Sequence, residues 1–442
     1  MSTSTAAGNS DYLLDTLVTW QDVEVEMQKS LGTTAKFGEK KKVTSFGDQK
    51  GFMSRMALIE PDWIKTSDEQ EDTKLKLPEK FSVKISSILG INELFGALTF
   101  LQPDAAPEKS EEEKKQEAEG LMGVVRYHHN LEVLTYDMIT KENNPALLAA
   151  KAYSSKAYTD ESPNKGFIIT DFISNVFPVT NHDTVAYEEF VPALDSMAAF
   201  SAMGERLSEE EKKKTAGFGH LEGRVRTLVP ESASPKIRSL LIEALGESNT
   251  TKIDKVMSII TEICGNDFAV LKNYSKIFEF LDHSPVLLHS DLWLGNMLFT
   301  KDSNGKLVFQ ALIDFQSTSL SSPGLDVAWV AVCCLNQEDR QKYRDVYLKR
   351  YFESFKAHLN LNGQSPYTFQ HLQDSYELCF PPIAIQILPI IWSMTKHTQP
   401  VETLEVAKVK MMGLVEDLIE MHEANVKKFP EFFEVPMGKK KQ

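Results

Sequence analysis

Four polar residues, His289, Asp291, Asn296 and Asp314, lie in a short stretch of the chain with apolar flanks. The first three form the pattern H-x-D-x-x-x-x-N, and the fourth begins the tripeptide D-F-Q after an apolar run. This set suits phosphoryl transfer: one carboxylate accepts a hydroxyl proton, while an amide oxygen and a second carboxylate hold magnesium against nucleotide phosphates. Any one of these residues alone is more often a loop brace or a turn cap. The joint spacing favours the chemical interpretation.

Short strands must position these residues. Residues 285–288 predict a strand that ends at the histidine, and residues 297–299 predict a second strand. After a polar turn, residues 307–313 predict a third strand that presents the second aspartate. The resulting hairpin would bring Asn296 and Asp314 together although the sequence separates them.

Composition excludes several classes of protein. The 442 residues are 42% hydrophobic and 25% charged, and the net charge of −15 disfavours binding to nucleic acid or anionic lipid. Four cysteines without C-x-x-C spacing indicate buried free thiols in a reducing compartment. Residues 1–11 lack the pattern of a secretory signal, and the longest apolar runs, 327–335 and 382–392, are shorter than a membrane span. We expect a cytoplasmic protein without a membrane span, and the sequence does not fix its oligomeric state.

The first part of the chain alternates like a sheet after one helix. Residues 12–32 predict an amphipathic helix, and residues 42–46 and 52–59 predict two strands of a hairpin. The turn between them carries Gly47 and Gly51, which could fold over phosphates or form an ordinary β-turn.

A further strand, 78–86, places Lys84 on the face opposite its apolar residues, and residues 123–136 predict a helix that carries Glu132. Between them, residues 102–120 form a charge-dense insertion. A capping box could start a short helix there, but we expect a solvated loop.

Strands come first and helices later, which predicts an α+β fold with a small antiparallel-sheet lobe and a larger, mostly helical lobe. We expect residues 1–172 to form the first lobe and residues 173–436 the second. Residues 437–442 would be a basic tail.

The chain resembles the kinase-like phosphotransferases, the group that includes choline kinases and aminoglycoside phosphotransferases. Within that group it is most similar to the CHK-kinase-like (ecdysteroid-kinase-like) family. HSDLWLGN followed by IDFQ carries the resemblance, with KKVTSFGDQKGFMSR, HHNLEVLTY and GFIITDF as weaker support. It extends over roughly residues 40 to 430.

The resemblance implies a role for each residue of the C-terminal motif. Asp291 would be the catalytic base, His289 would orient its loop, and Asn296 and Asp314 would bind Mg²⁺. Position 290 departs from the family, because it is serine where glycine is frequent.

The resemblance also implies a nucleotide site in the first lobe. Lys84 would contact the phosphates of ATP and be held by Glu132. Backbone groups from Asp171 to Ile173 would receive the adenine, and the turn from Gly47 to Gly51 would cover the phosphates. That turn lacks a full glycine-rich pattern.

The expected activity is ATP- and Mg²⁺-dependent phosphorylation of a hydroxyl on a small organic molecule, such as a steroid, a choline-like alcohol, a glycoside or a xenobiotic. The segment after Asp314 is too short for a peptide-binding platform and has no A-P-E, which disfavours a protein kinase. The alternative is a nucleotide-binding pseudokinase scaffold without turnover. Residues 380–392 could line an acceptor pocket, but a helix core explains them better.

Overall fold

The computed structural model describes residues 11–47, 53–66, 76–88, 98, 101, 110–215, 220–359, 364–397 and 401–438. The chain divides into two compact units. Unit 1 comprises Met1–Gly96, Asp104–Asn143 and Ala149–Asn175, and unit 2 comprises Ala97–Pro103, Asn144–Leu148 and Val176–Gln442. The boundary predicted from the sequence, after residue 172, lies close to the end of the last segment of unit 1.

Unit 1 contains an antiparallel sheet and two helices among its described residues. The strands β1 to β7 are Lys36–Phe37, Lys42–Phe46, Ser54–Glu60, Trp63–Ile64, Phe81–Ser86, Ala152–Lys156 and Phe167–Asp171. The helices α1 and α2 are Trp20–Leu31 and Glu111–Glu142. Five of the strands form one sheet in the order β2-β3-β5-β7-β6, with every neighbouring pair antiparallel.

The alternation of β5 decides which face of the sheet is buried. Phe81, Val83 and Ile85 are buried in the core of unit 1, where Val23 and Met27 of α1 also pack. Side chains alternate along a strand, so the residues between them face the other way. The predicted hairpin of β2 and β3 is confirmed by its antiparallel pairing.

Two sequence predictions about unit 1 are wrong. The helix predicted over 12–32 begins only at Trp20, because Thr19 forms a capping box with Asp22 and the residues before it form a turn. The predicted solvated loop is a helix from Glu111 onward, started by a capping box of Ser110 and Glu113. Glutamate and lysine favour helices, and acidic residues in the first turn complement the helix dipole, so the charge density does not prevent helix formation.

Unit 2 is mostly helical and carries two small strand pairs among its described residues. Its helices α3 to α13 are Tyr187–Met203, Glu209–Thr215, His220–Leu228, Ser234–Leu245, Thr250–Phe268, Leu271–Tyr274, Ile277–Phe280, Gly324–Cys334, Gln337–His358, Phe369–Thr395 and Glu402–Lys428. Its strands β8 to β11 are Val286–Leu288, Met297–Lys301, Leu307–Leu312 and Ser319–Ser321. The predicted α+β class, with a small sheet and a larger helical part, is confirmed.

The strands of unit 2 follow the prediction and add one element. β9 and β10 form the expected hairpin, in which Met297 pairs with Leu312. β8 pairs with β11, a short strand that the sequence analysis did not predict.

One helix of the described residues, Phe369–Thr395, is long and apolar enough to cross a membrane by length and composition. Its most apolar window has a mean hydropathy of 1.6, and 83% of that window is buried inside the protein. The helix therefore serves as the core of unit 2. The same burial favours helix core over acceptor pocket for residues 380–392.

Candidate functional site

The loop between β8 and β9 is fixed through its main chain. Asp326 of helix α10 accepts hydrogen bonds from the backbone N–H groups of His289 and Ser290, both at 2.8 Å. Burial raises the pKa of the Asp326 carboxyl to about 6, and the charge of Asp291 raises it too, whereas His289 and the two backbone donors lower it. The Asp326 carboxylate therefore holds the loop.

His289 braces the loop against the next strand. Its Nε2 donates to the carbonyl of Ile313 at 2.9 Å, and its ring lies 5.0 Å from that of Phe315. A carbonyl can only accept, so Nε2 carries the proton. The buried Nδ1 has no hydrogen-bond partner among the described residues. These contacts make His289 a structural support of the loop.

Two residues of the site have left-handed backbones. Ser290 has a φ of 64° and Asp314 a φ of 66°. A side chain in this region is strained, which explains why glycine would fit position 290. The Ser290 hydroxyl is hydrogen-bonded to that of Ser319 at 2.7 Å, a contact that glycine could not make.

Asp291 lies at the centre of the loop and is largely buried. Its Oδ1 accepts a hydrogen bond from Nη1 of Arg224 at 2.6 Å, while its Oδ2 lies 3.4 Å from Nδ2 of Asn296. Arg224 belongs to helix α5 and stacks on Trp329 of helix α10, with its guanidinium carbon 4.7 Å from the ring centroid. The sequence analysis missed both Arg224 and Trp329, because no motif marks them.

The hairpin brings the two predicted metal ligands to neighbouring positions. The backbone N–H of Ile313, directly before Asp314, donates to the carbonyl of Asn296 at 3.1 Å. Nδ2 of Asn296 donates a hydrogen bond to the carbonyl of Asp291 at 2.8 Å. The amide nitrogen is therefore engaged, and the amide oxygen is the atom that would coordinate a metal ion. An amide oxygen and a carboxylate are hard ligands of the kind that Mg²⁺ prefers, so the donor set fits this ion. In the part of the chain that the structure describes, no cluster of three or more His, Cys, Asp or Glu could hold a metal by itself.

Trp293 packs within the loop. A Cβ atom on Gly295 would lie 2.2 Å from the indole ring, so only glycine lets the ring occupy this place. The half-buried ring of Trp293 therefore fills the space beside Gly295.

In unit 1, Lys84 and Glu132 form an ion pair. Lys84 lies on the central strand of the sheet, opposite Met56 of β3 and Ile168 of β7. Its Nζ is 2.6 Å from Oε2 of Glu132 on α2, and the two side chains are 12% and 2% exposed. The structure thus brings together two residues that lie far apart in the sequence.

The other predicted nucleotide residues of unit 1 that the structure describes lie at or just after the ends of β2 and β7. Gly47 follows β2 with a φ of 72°, and the ring of Phe46 before it packs edge-on against Phe172 at 5.7 Å. Phe172 stands between Asp171 and Ile173, so this ring contact joins the end of β2, before the predicted phosphate-covering turn, to the segment predicted to receive the adenine.

The Asp171 carboxylate accepts from the backbone N–H of Lys151 at 2.7 Å, and burial raises its pKa. Ile173 follows the end of β7 and is half-buried. Gly51 lies outside the described residues.

One protein family matches nearly the whole chain. A family model named DUF1679, described as "Uncharacterized oxidoreductase dhs-27", matches residues 7–426. The chain belongs to the DUF1679 family. This match covers nearly all of both units, including the loop of Asp291 and the pair of Lys84.

A curated relative of this DUF1679 protein has a name that describes it as kinase-like. It is "Uncharacterized kinase-like protein D1044.1" of Caenorhabditis elegans, 33% identical over 110 residues, which are 25% of this chain and 28% of the relative. The chain thus spans about 28% of the length of the curated relative that it matches. The predicted relationship to the kinase-like group is confirmed.

Solved structures with similarity to this DUF1679 protein include two kinases. Choline kinase from Cryptosporidium parvum is 12% identical with a TM-score of 0.45, and the match covers 92% of this chain and 98% of that one. Ethanolamine kinase from Plasmodium vivax is 11% identical with a TM-score of 0.39, covering 85% and 82%.

Proposed function

We propose that the protein is a phosphotransferase that moves the γ-phosphoryl group of ATP to a hydroxyl of a small organic molecule. The observation that supports this most is the loop of unit 2. Asp326 fixes it through two backbone bonds, and it presents Asp291 beside the amide of Asn296. Asp314 follows Ile313, whose backbone N–H bonds to the carbonyl of Asn296. Phosphoryl transfer depends on such positioning more than on covalent chemistry.

Each residue has one task in this proposal. Asp291 orients the acceptor hydroxyl and takes its proton as the oxygen attacks the γ-phosphorus, while the bond from the γ-phosphorus to the β–γ bridging oxygen breaks and ADP leaves. Asn296 and Asp314 would hold Mg²⁺, which neutralises charge on the phosphate oxygens. In unit 1, Lys84 would contact the nucleotide phosphates and Glu132 would fix its ammonium group. Backbone groups at Asp171 and Ile173 would receive the adenine, and Gly47 and Gly51 the phosphates.

The acceptor is proposed only as a class. The segment between Asp314 and helix α10 is short, which leaves no platform for a peptide and supports a small hydroxylated molecule. The four cysteines are all buried and unbridged, which agrees with a cytoplasmic protein.

The test is an acceptor screen. Purified protein, ATP and Mg²⁺ are incubated with pooled steroids, amino alcohols, glycosides and xenobiotic alcohols, and mass spectrometry detects the gain of one phosphate. A phosphorylated product supports the proposal. Nucleotide binding without product from any pool would favour the pseudokinase scaffold. A parallel assay of nicotinamide absorbance examines the oxidoreductase activity that the family description names.

A variant tests the metal assignment. Asp314→Asn replaces a charged ligand with a neutral one, so half-maximal activity should require on the order of 10-fold more Mg²⁺. An unchanged Mg²⁺ dependence would contradict the ligand role. Asp302→Asn is a matched control, because Asp302 lies in the exposed turn between β9 and β10, the hairpin that leads to Asp314.

A further inference from the structure

The guanidinium group of Arg224 binds the proposed base directly. Nη1 of Arg224 lies 2.6 Å from Oδ1 of Asp291, and the two side chains are 30% and 10% exposed. A charge-assisted hydrogen bond of this length fixes the rotation of a carboxylate as well as its place. The contact therefore selects which oxygen of Asp291 remains for the acceptor.

Trp329 determines where this guanidinium lies. The indole is buried, and Arg224 stacks on its face. Trp329 stands three residues after Asp326, so both project from the same side of helix α10. One helix thus supports the loop twice: Asp326 holds its main chain, and Trp329, through Arg224, holds the carboxylate of Asp291.

The two oxygens of Asp291 consequently differ. Oδ1 is occupied by Arg224, whereas Oδ2 has, among the described residues, only the 3.4 Å approach of Asn296. A carboxylate offers about four lone-pair sites, so the ion pair leaves Oδ2 able to accept a further proton donor. Arg224 therefore orients Asp291 without blocking it.

We propose that Arg224 is a positioning residue that aims Oδ2 of Asp291 at the acceptor hydroxyl. This inference depends on the proposed phosphotransferase function, because it assigns Asp291 the role of base. Arg224 does not touch the reacting atoms and acts only through Asp291.

Helix α5 offers a matched control two residues further on. Arg226 is also 30% exposed, also pairs with an acidic side chain (Glu222, 2.9 Å) and also lies over an aromatic ring (Phe268, 4.5 Å). Its partners do not include Asp291. Arg224→Ala and Arg226→Ala thus remove similar contacts from one helix, and only the first reaches the base.

The experiment measures kcat and KM of the two variants with an acceptor found for the wild type. Misaligning a catalytic group costs on the order of 10²-fold in rate, so Arg224→Ala should lower kcat by about that factor and leave the KM for ATP unchanged. Arg226→Ala should retain the wild-type kcat. Added guanidinium chloride at millimolar concentration should restore part of the activity of Arg224→Ala, and Arg224→Lys should be intermediate.

Several results would overturn the inference. An unchanged or higher kcat of Arg224→Ala would show that Arg224 does not position the base, and an equal loss in both variants would show a general effect on the helix. A rise in the KM for the acceptor alone would make Arg224 a binding residue. Arg224→Gln keeps the bulk of the side chain and repeats the test if the alanine variant does not fold.

Failure of the proposed function gives a different pattern. If the wild type phosphorylates no acceptor, the phosphotransferase proposal fails and the positioning role falls with it. The ion pair itself is tested without turnover by a double-mutant cycle of Arg224→Ala and Asp291→Asn on urea unfolding. Additive effects of the two changes would show that the side chains are not coupled, which would overturn the inference independently.

Discussion

Two ion pairs of equal length, one in each unit, differ in their surroundings. Lys84 and Glu132 join the central strand of a sheet to a helix of 32 residues, and both side chains are nearly inaccessible to solvent. Arg224 and Asp291 join a helix of nine residues to a loop, and the arginine is 30% exposed. Both pairs have N···O distances of 2.6 Å.

The degree of burial determines what each ion pair contributes. A buried pair on regular elements is costly to break, because a lone charge would remain in the core. A partly exposed pair on a loop is cheaper to break, so its effect should appear in the geometry of Asp291 instead. We expect loss of the Lys84 pair to lower the stability of the fold strongly, and loss of the Arg224 pair to change mainly turnover.

The largest stability effect should come from Lys84→Met. The change leaves Glu132 buried without this cation, and breaking such a pair costs about 3–5 kcal/mol. Urea unfolding followed by tryptophan fluorescence measures the loss, since Trp20 and Trp63 both lie in unit 1.

Lys80→Met is the matched control for this prediction. Lys80 pairs with Glu60 at 2.8 Å, but the two side chains are 49% and 37% exposed. An exposed pair contributes at most about 1 kcal/mol. Equal losses in Lys84→Met and Lys80→Met would remove the distinction between the buried pair and a surface pair.

The next effect should come from Asp326→Asn, which tests the support of the Asp291 loop. An amide has one acceptor oxygen for two backbone donors, and leaving one donor unpaired costs about 1–3 kcal/mol. Thermal unfolding at neutral pH measures this loss. A change below about 0.5 kcal/mol would show that the two backbone bonds do not hold the loop.

The same residue predicts a pH dependence. Burial raises the pKa of Asp326 from 3.8 to about 6, so between these values the folded state binds the proton more readily than the unfolded state. The stability of the wild type relative to Asp326→Asn should therefore fall as the pH rises from about 4 to about 6. Unfolding curves across this range would contradict the assignment if the difference rose instead.

The smallest effect concerns Ser290, whose backbone is left-handed. Both Ser290→Gly and Ser290→Ala remove the hydroxyl bond to Ser319, but only alanine keeps a Cβ in the strained region. The left-handed conformation costs such a residue about 1–2 kcal/mol, so the glycine variant should be the more stable by about that amount. Equal stabilities in thermal unfolding would show that the strain at this position is negligible.

The sequence predicted the elements whose signals are local. Alternation in β5 and the apolar strands of the hairpin were sufficient, because burial of one face imposes a period on the residues themselves. The start of α1 at Trp20 and the extension of α2 to Glu111 were missed, since capping by Thr19 and Ser110 outweighed the hydrophobic pattern.

The candidate site was predictable to the extent that its residues share a motif. His289, Asp291, Asn296 and Asp314 are linked by spacing, whereas Lys84 and Glu132 were paired only through the resemblance. Arg224 lies 67 residues from Asp291 on a separate helix, and no local pattern ties an arginine to a distant carboxylate. Such a contact depends on tertiary packing, in this case on the ring of Trp329.

The central claim is that Asp291 is the base of a phosphotransferase. The most direct measurement compares the turnover of wild type, Asp291→Asn and Asp302→Asn with the acceptor found in the screen, together with ATP binding by calorimetry. We predict that Asp291→Asn loses about 10²–10⁴-fold in kcat and still binds ATP, while Asp302→Asn behaves like the wild type. Wild-type turnover in Asp291→Asn would contradict the account.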